Sequence, residues 1–104
     1  MTNSTQLLHQ SCASLVRTLE RRSDADTQDL LDTALDIEFM INGRGDYIGA
    51  RLLVTFGGPN IWIDTRFNRI EGYWGADQIH LRFSDGNDLD ELLEDAFTMT
   101  AMAA

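Results

Sequence analysis

The residues able to do chemistry are few, and their spacing limits what that chemistry is. His9 and Cys12 stand three apart, the spacing of half a zinc site. No second cysteine and no histidine cluster supplies the other ligands that a four-coordinate structural site needs. On a helix Cys12 falls within an apolar stripe, which makes it a packing position. His80, the other histidine, is far away in sequence. No G-x-S-x-G nucleophile motif is present, and nothing marks Cys12 as activated. The glycines of GRGDYIG and FGGP do not lead into a helix, as a phosphate-binding loop requires. DGNDLDEL has leucine where a calcium loop wants a ligand, and DADTQDLLDTAL lacks the central glycine. The RGD at 44–46 reads as a turn tripeptide. The sequence therefore predicts a protein that is not an enzyme, with no catalytic residue, no metal site and no cofactor.

Carboxylates are the abundant resource. The chain of 104 residues has 17 acids against 8 bases, every base an arginine, for a formal net charge of −9. Residues 24–38 carry six acids and no base, and residues 84–104 carry another six and no base, whereas the remainder is slightly basic. An acidic run is ordinarily a solvated helix face, and acids in a first turn are favourable by about 0.3–1 kcal/mol each. The last segment goes further. Glu91, Glu94 and Asp95 fall at i, i+3 and i+4 with no arginine to pair them, a repulsion of about 0.2–0.5 kcal/mol per pair. Carboxylates repeating at about 5–6 Å along a helix can stand in for backbone phosphates before an arginine- and lysine-lined groove. Asp85, Asp88, Asp90, Glu91, Glu94 and Asp95 are therefore the expected partner-binding residues, with Asp36 and Glu38 as a second cluster. Such a surface speeds encounter with a basic protein surface and repels nucleic acid. The sequence predicts no direct binding of DNA or RNA.

The elements that must position these residues follow from the apolar spacing. Ser4 caps a first helix running to about Arg22, with Leu8, Cys12, Leu15 and Leu19 on one stripe and Leu7 and Val16 beside it. A shorter helix from about Asp26 to Ala34 follows, its apolar side Leu30, Leu31 and Ala34. The period then changes to two: Leu35, Ile37, Phe39 and Ile41 alternate with Asp36, Glu38 and Met40, which predicts a strand. NGRGD (42–46) is a turn. A long strand over 47–56 follows, where Leu52–Val54 implies burial on both faces. Three short strands then cover 61–65, 70–74 and 79–83, before a helix capped by Asn87 with Leu89, Leu92, Leu93, Ala96 and Phe97 as its apolar stripe. Two helices, a meander of four to five strands and a closing helix make an α+β fold with an antiparallel sheet. One domain over 1–104 is expected.

A hairpin at TRFNRI sets Thr65 opposite Ile70, Ile63 opposite Gly72 and Trp62 opposite Tyr73. One face then collects Ile61, Ile63, Ile70, Trp74, Ile79, Leu81 and Phe83, the core. The other collects Trp62, Tyr73, His80, Arg82, Asp64 and Glu71. Trp62 and Tyr73 are either interface anchors or a stabilising cross-strand pair partly covered by a helix. FGGP (56–59) is either a corner between strands or a loop that holds a ligand, the corner being favoured.

No basic n-region and apolar h-region open the chain, and no apolar run approaches the roughly 20 residues of a membrane-spanning helix. The lone Cys12 suits a reducing interior. A soluble, cytoplasmic chain is expected. LLVTFGGPNIWIDTRFNRIEGYWGADQI (52–79) resembles a segment of small uncharacterised proteins of phages, prophages and plasmids, in which a GGP–strand–DTR–turn–GYWG pattern recurs. The matching positions are Gly57, Gly58, Pro59, Asp64, Thr65, Arg66, Gly72, Tyr73, Trp74 and Gly75. In size and acidity the chain is also similar to phage-borne inhibitors of bacterial defence, including anti-CRISPR and anti-restriction DNA mimics. Together these imply a small acidic inhibitor that blocks a basic surface of a nucleic-acid-handling complex. The alternatives are a small-ligand-binding domain using the 57–60 loop with the Trp62/Tyr73 face, and a homodimeric accessory subunit of a larger assembly.

Overall fold

The computed structural model describes residues 4–21, 24–84 and 87–103. Asp85 and Arg22, and the capping roles expected of the Ser4 and Asn87 side chains, lie outside what it describes. The elements are α1 (Ser4–Glu20), α2 (Asp24–Thr33), β1 (Asp36–Ile41), β2 (Tyr47–Thr55), β3 (Asn60–Asp64), β4 (Arg69–Trp74), β5 (Asp77–Arg82) and α3 (Asn87–Ala103). The five strands form one antiparallel sheet in sequence order. This is the α+β meander that the sequence order predicts.

Residues opposite each other in an antiparallel ladder point to the same face, so the register sorts the sheet. Ile37, Leu52, Ile63, Ile70 and Leu81 form one unbroken row across all five strands. Leu52, Ile63 and Ile70 are fully buried, each burial stabilising by about 1.5–3 kcal/mol. The adjacent row, Glu38, Arg51, Asp64, Arg69 and Arg82, points to the other face. One step along each strand thus separates a wholly apolar row from a wholly charged one.

All three helices cover the apolar face. Leu8, Cys12 and Leu19 of α1 are buried against the sheet, with Cys12 Sγ and Leu8 Cδ1 directly over Gly72. One end of α1 is tied to β5 and the other to Ser84, just beyond it. Thr5 donates to Asp77 Oδ2 at 2.7 Å, and Glu20 Oε2 accepts from the Ser84 amide and hydroxyl at 3.1 and 2.6 Å. α3 buries Leu89 and Leu93 and sets Phe97 5.5 Å from Phe39 and 5.8 Å from Tyr47. α2 lies beside α3, with Leu30, Leu31 and Ala34 against the same core. Among the described residues no helix is long and apolar enough to cross a membrane.

Gly72 lies opposite Ile61, not Ile63, and Trp62 opposite Glu71, not Tyr73. The cause is Asp64. Its Oδ1 accepts from the Arg66 and Phe67 amides at 2.9 and 3.1 Å, and Asn68 takes a φ of +50°, so the loop occupies 65–68. The pairing moves by two residues. Every side chain keeps its expected face and changes its partner.

Candidate functional site

The acidic layer is built by α2 and α3. Their apolar stripes share one core, so their polar faces turn outward side by side. Asp26, Asp29 and Asp32 of α2 and Asp88, Glu91, Glu94 and Asp95 of α3 are exposed, and neither helix carries an arginine or lysine. Between the helices lies a cleft of about 400 Å³ lined by Thr27, Gln28, Asp88, Glu91, Leu92 and Asp95. Asp88, Glu91 and Asp95 fall at i, i+3 and i+7, one stripe along its α3 wall. Gln28 on the α2 wall donates to Asp32 Oδ1 at 3.0 Å.

Three expected members of this surface lie elsewhere or serve otherwise. Asp36 and Glu38 belong to β1 and point to the opposite face of the sheet, where Glu38 Oε1 meets Arg51 Nη1 at 3.0 Å. A strand's alternation put them there, and the α2 acids take their place beside α3. Asp90 turns inward. Its Oδ1 accepts from the Tyr47 and Thr65 hydroxyls at 2.6 and 2.7 Å, pinning α3 to β2 and to the β3–β4 turn. Burial, and then the bond to Asp90, push the Tyr47 phenol far above its usual range.

The helix-free face of the sheet holds Trp62 and Tyr73 within a polar network. The Arg51 guanidinium carbon lies 4.2 Å from the Trp62 ring centroid, so the expected anchor is already capped by a cation. The same guanidinium bridges Glu38 and Glu71, the latter at 3.4 Å. Tyr73 donates to Glu71 Oε1 at 2.8 Å, and its hydroxyl lies 3.4 Å from His80 Nε2. Glu71 and Asp64 are both buried. Burial raises the Asp64 carboxyl. Burial acts on Glu71 in the same sense, but the Tyr73 hydrogen bond and the Arg51 charge, with smaller contributions, outweigh it and hold Glu71 below the usual range. The network is an internally neutralised lattice.

The FGGP segment is a corner. Thr55 donates to the Pro59 carbonyl at 2.9 Å, the Gly57 amide donates to Asn60 Oδ1 at 3.3 Å, and Gly57 has a φ of +99°. A cavity of about 280 Å³ beside it is lined by Ser11, Ser14, Leu15, Thr18, Val54, Thr55 and Ile61. It lies on the helix side, and neither Gly58 nor Trp62 lines it. Cys12 is fully buried over Gly72, and burial raises its thiol. Among the described residues no group of three or more His, Cys, Asp or Glu side chains is placed to hold a metal ion.

Sequence reasoning missed the α2 wall of the cleft and the arginines around Phe67. The signal for the first was α2's own apolar stripe, which requires its acids to face outward next to α3. The signal for the second was RFNR, an aromatic residue between two arginines in a turn. No family model, no curated protein and no solved structure matches this chain.

Proposed function

We propose that the protein is a non-enzymatic binding protein of the kind mobile elements use against their hosts. On this reading the α2–α3 layer occupies the basic surface of a nucleic-acid-handling complex in place of the nucleic acid. One observation carries the reading: the two base-free acidic helices lie side by side, which joins seven exposed carboxylates into one surface. The cleft supports it further. Leu92 offers an apolar wall for the stem of an arginine or lysine from the partner, and Asp88, Glu91 and Asp95 receive the charged head. Long-range attraction from an unneutralised acidic layer raises the encounter rate with such a partner. Asp88, Glu91, Glu94 and Asp95 carry the contact. Asp90 acts as an anchor of the helix that presents them.

The test is affinity capture from a bacterial lysate with the wild type and with a Glu91→Lys/Glu94→Lys variant. The wild type should retain a nucleic-acid-binding protein that is released both by high salt and by added duplex DNA, and the variant should retain none. A retained protein that neither the charge reversal nor duplex DNA displaces removes the proposal.

A further inference from the structure

The arginines are distributed as unevenly as the acids. The charged row across the sheet runs Glu38, Arg51, Asp64, Arg69, Arg82, so that negative and positive alternate until the β4–β5 pair, where two arginines stand opposite each other. Like charges directly opposite in a ladder are destabilising, and among the described residues no carboxylate lies within ion-pair distance of Arg82 or Arg66. Arg69 uses its inner edge on Asp64 and Glu71, with Nε 3.9 and 3.6 Å from their oxygens and without a hydrogen bond. The guanidinium carbons of Arg66 and Arg69 sit 5.1 and 5.2 Å from the centroid of the Phe67 ring, which is 52% exposed.

This tip is held firmly. Asp64 caps the turn from within, and the Thr65 amide donates to the Ala50 carbonyl at 2.9 Å. The Phe83 amide donates to the Asn68 carbonyl at 2.9 Å. Arg66 lies so close over Gly49 that a Cβ there would stand 2.5 Å from Arg66 Cβ. An exposed aromatic ring with the Arg66 and Arg69 guanidiniums beside it is thus held in place before any ligand arrives, which lowers the ordering cost of binding.

We propose that Arg66, Phe67, Arg69 and Arg82 form a binding site for single-stranded nucleic acid. A base stacks on the exposed Phe67 ring and its arginines, and backbone phosphates pair with Arg66, with Arg82 and with the outer edge of Arg69. An exposed turn suits a polymer that drapes over it and disfavours a small ligand, which needs enclosure. Whole-chain charge predicts repulsion, but the exposed acids of α2 and α3 lie on the helix side of the sheet while Arg69 and Arg82 point to the helix-free side. Asp90, the α3 acid that reaches the turn, is engaged by the Tyr47 and Thr65 hydroxyls, and charge is screened over about 8 Å at physiological salt. The site does not depend on the acidic-layer reading, and its variants leave α2 and α3 untouched.

Fluorescence anisotropy with a labelled oligothymidylate and the full chain tests it. Saturable binding is expected, with the logarithm of the association constant falling by about 2 per tenfold rise in salt, as three phosphate contacts require. Phe67→Ala should weaken binding about tenfold. Arg66→Gln with Arg82→Gln should bring the salt slope to about −0.7. Duplex DNA, whose bases are already stacked, should compete poorly. Each variant is first shown by circular dichroism to melt like the wild type, and because Arg66 and Arg82 are exposed, that pair serves if Phe67→Ala does not fold. Absence of saturable binding, binding indifferent to all these changes, or equal competition by duplex or by polyglutamate overturns the proposal, the last by making the tip an acidic-peptide site.

Discussion

At the scale of residues, Gly72 decides how closely α1 approaches the sheet. A Cβ at this position would stand 2.6 Å from Cys12 Sγ, 2.9 Å from Leu8 Cδ1 and 3.1 Å from Ile79 Cγ2. Two of these atoms belong to a helix fastened at one end to β5 and at the other to Ser84 beyond it, so the strain is not relieved by a small tilt. Gly72→Ala should therefore destabilise the fold by about 1–3 kcal/mol, measured by urea unfolding. Cys12→Ala in the same chain should recover part of the loss, because it removes the nearest atom. Equal stability of the wild type and Gly72→Ala would mean that α1 does not sit at this distance. The same contact explains Cys12 itself. It is a small apolar plug over a strand position with no side chain.

At the scale of elements, the meander and its faces were legible because alternation of apolar and polar residues is a local signal, and the strands from 36 to 82 follow it outside the apolar run at 52–54. Leu53 was legible too: it points away from the core row, lies opposite Trp62 and is still buried, as the apolar run at 52–54 implied. Register was not legible, because it rests on one Asp64 oxygen accepting two amides, and many hairpin loops fit TRFNRI. Nor could the sequence tell Asp90 from its neighbours. Asp88 and Asp90 flank the apolar stripe alike on a helical wheel, one beside Leu92 and the other beside Phe97, and only the arrival of Tyr47 from β2 and Thr65 from the β3–β4 turn turns Asp90 inward. Asp90→Ala should cost about 1.5–3 kcal/mol, as expected for hydrogen bonds to a charged group. It should also loosen α3 selectively, so that amide exchange quickens there before it does in β3 and β4. Uniform quickening across the chain would show that α3 and the sheet open as one unit.

At the scale of the whole molecule, charge separation between the two layers sets a balance between stability and binding. Glu91 has Asp88 at i−3, Glu94 at i+3 and Asp95 at i+4, all acidic, with no base on either α2 or α3. Each such pair costs about 0.2–0.5 kcal/mol, and Glu91→Lys converts all three from repulsion to attraction. The variant should be more stable by about 1–3 kcal/mol, with Tm rising by about 4–8 °C per kcal/mol for a domain of this size. Added salt screens the same repulsion, so the Tm of the wild type should climb with ionic strength and that of the variant should climb less. These two melting series also govern the capture experiment. If Glu91→Lys and the Glu91→Lys/Glu94→Lys variant both melt higher than the wild type yet the double variant loses the partner, unfolding is excluded as the cause, and the acids are retained for what they bind at a cost to the fold. If Glu91→Lys melts no higher and salt leaves the wild type unmoved, the acidic layer holds no stored repulsion, and binding has no need to explain why bases are absent from it.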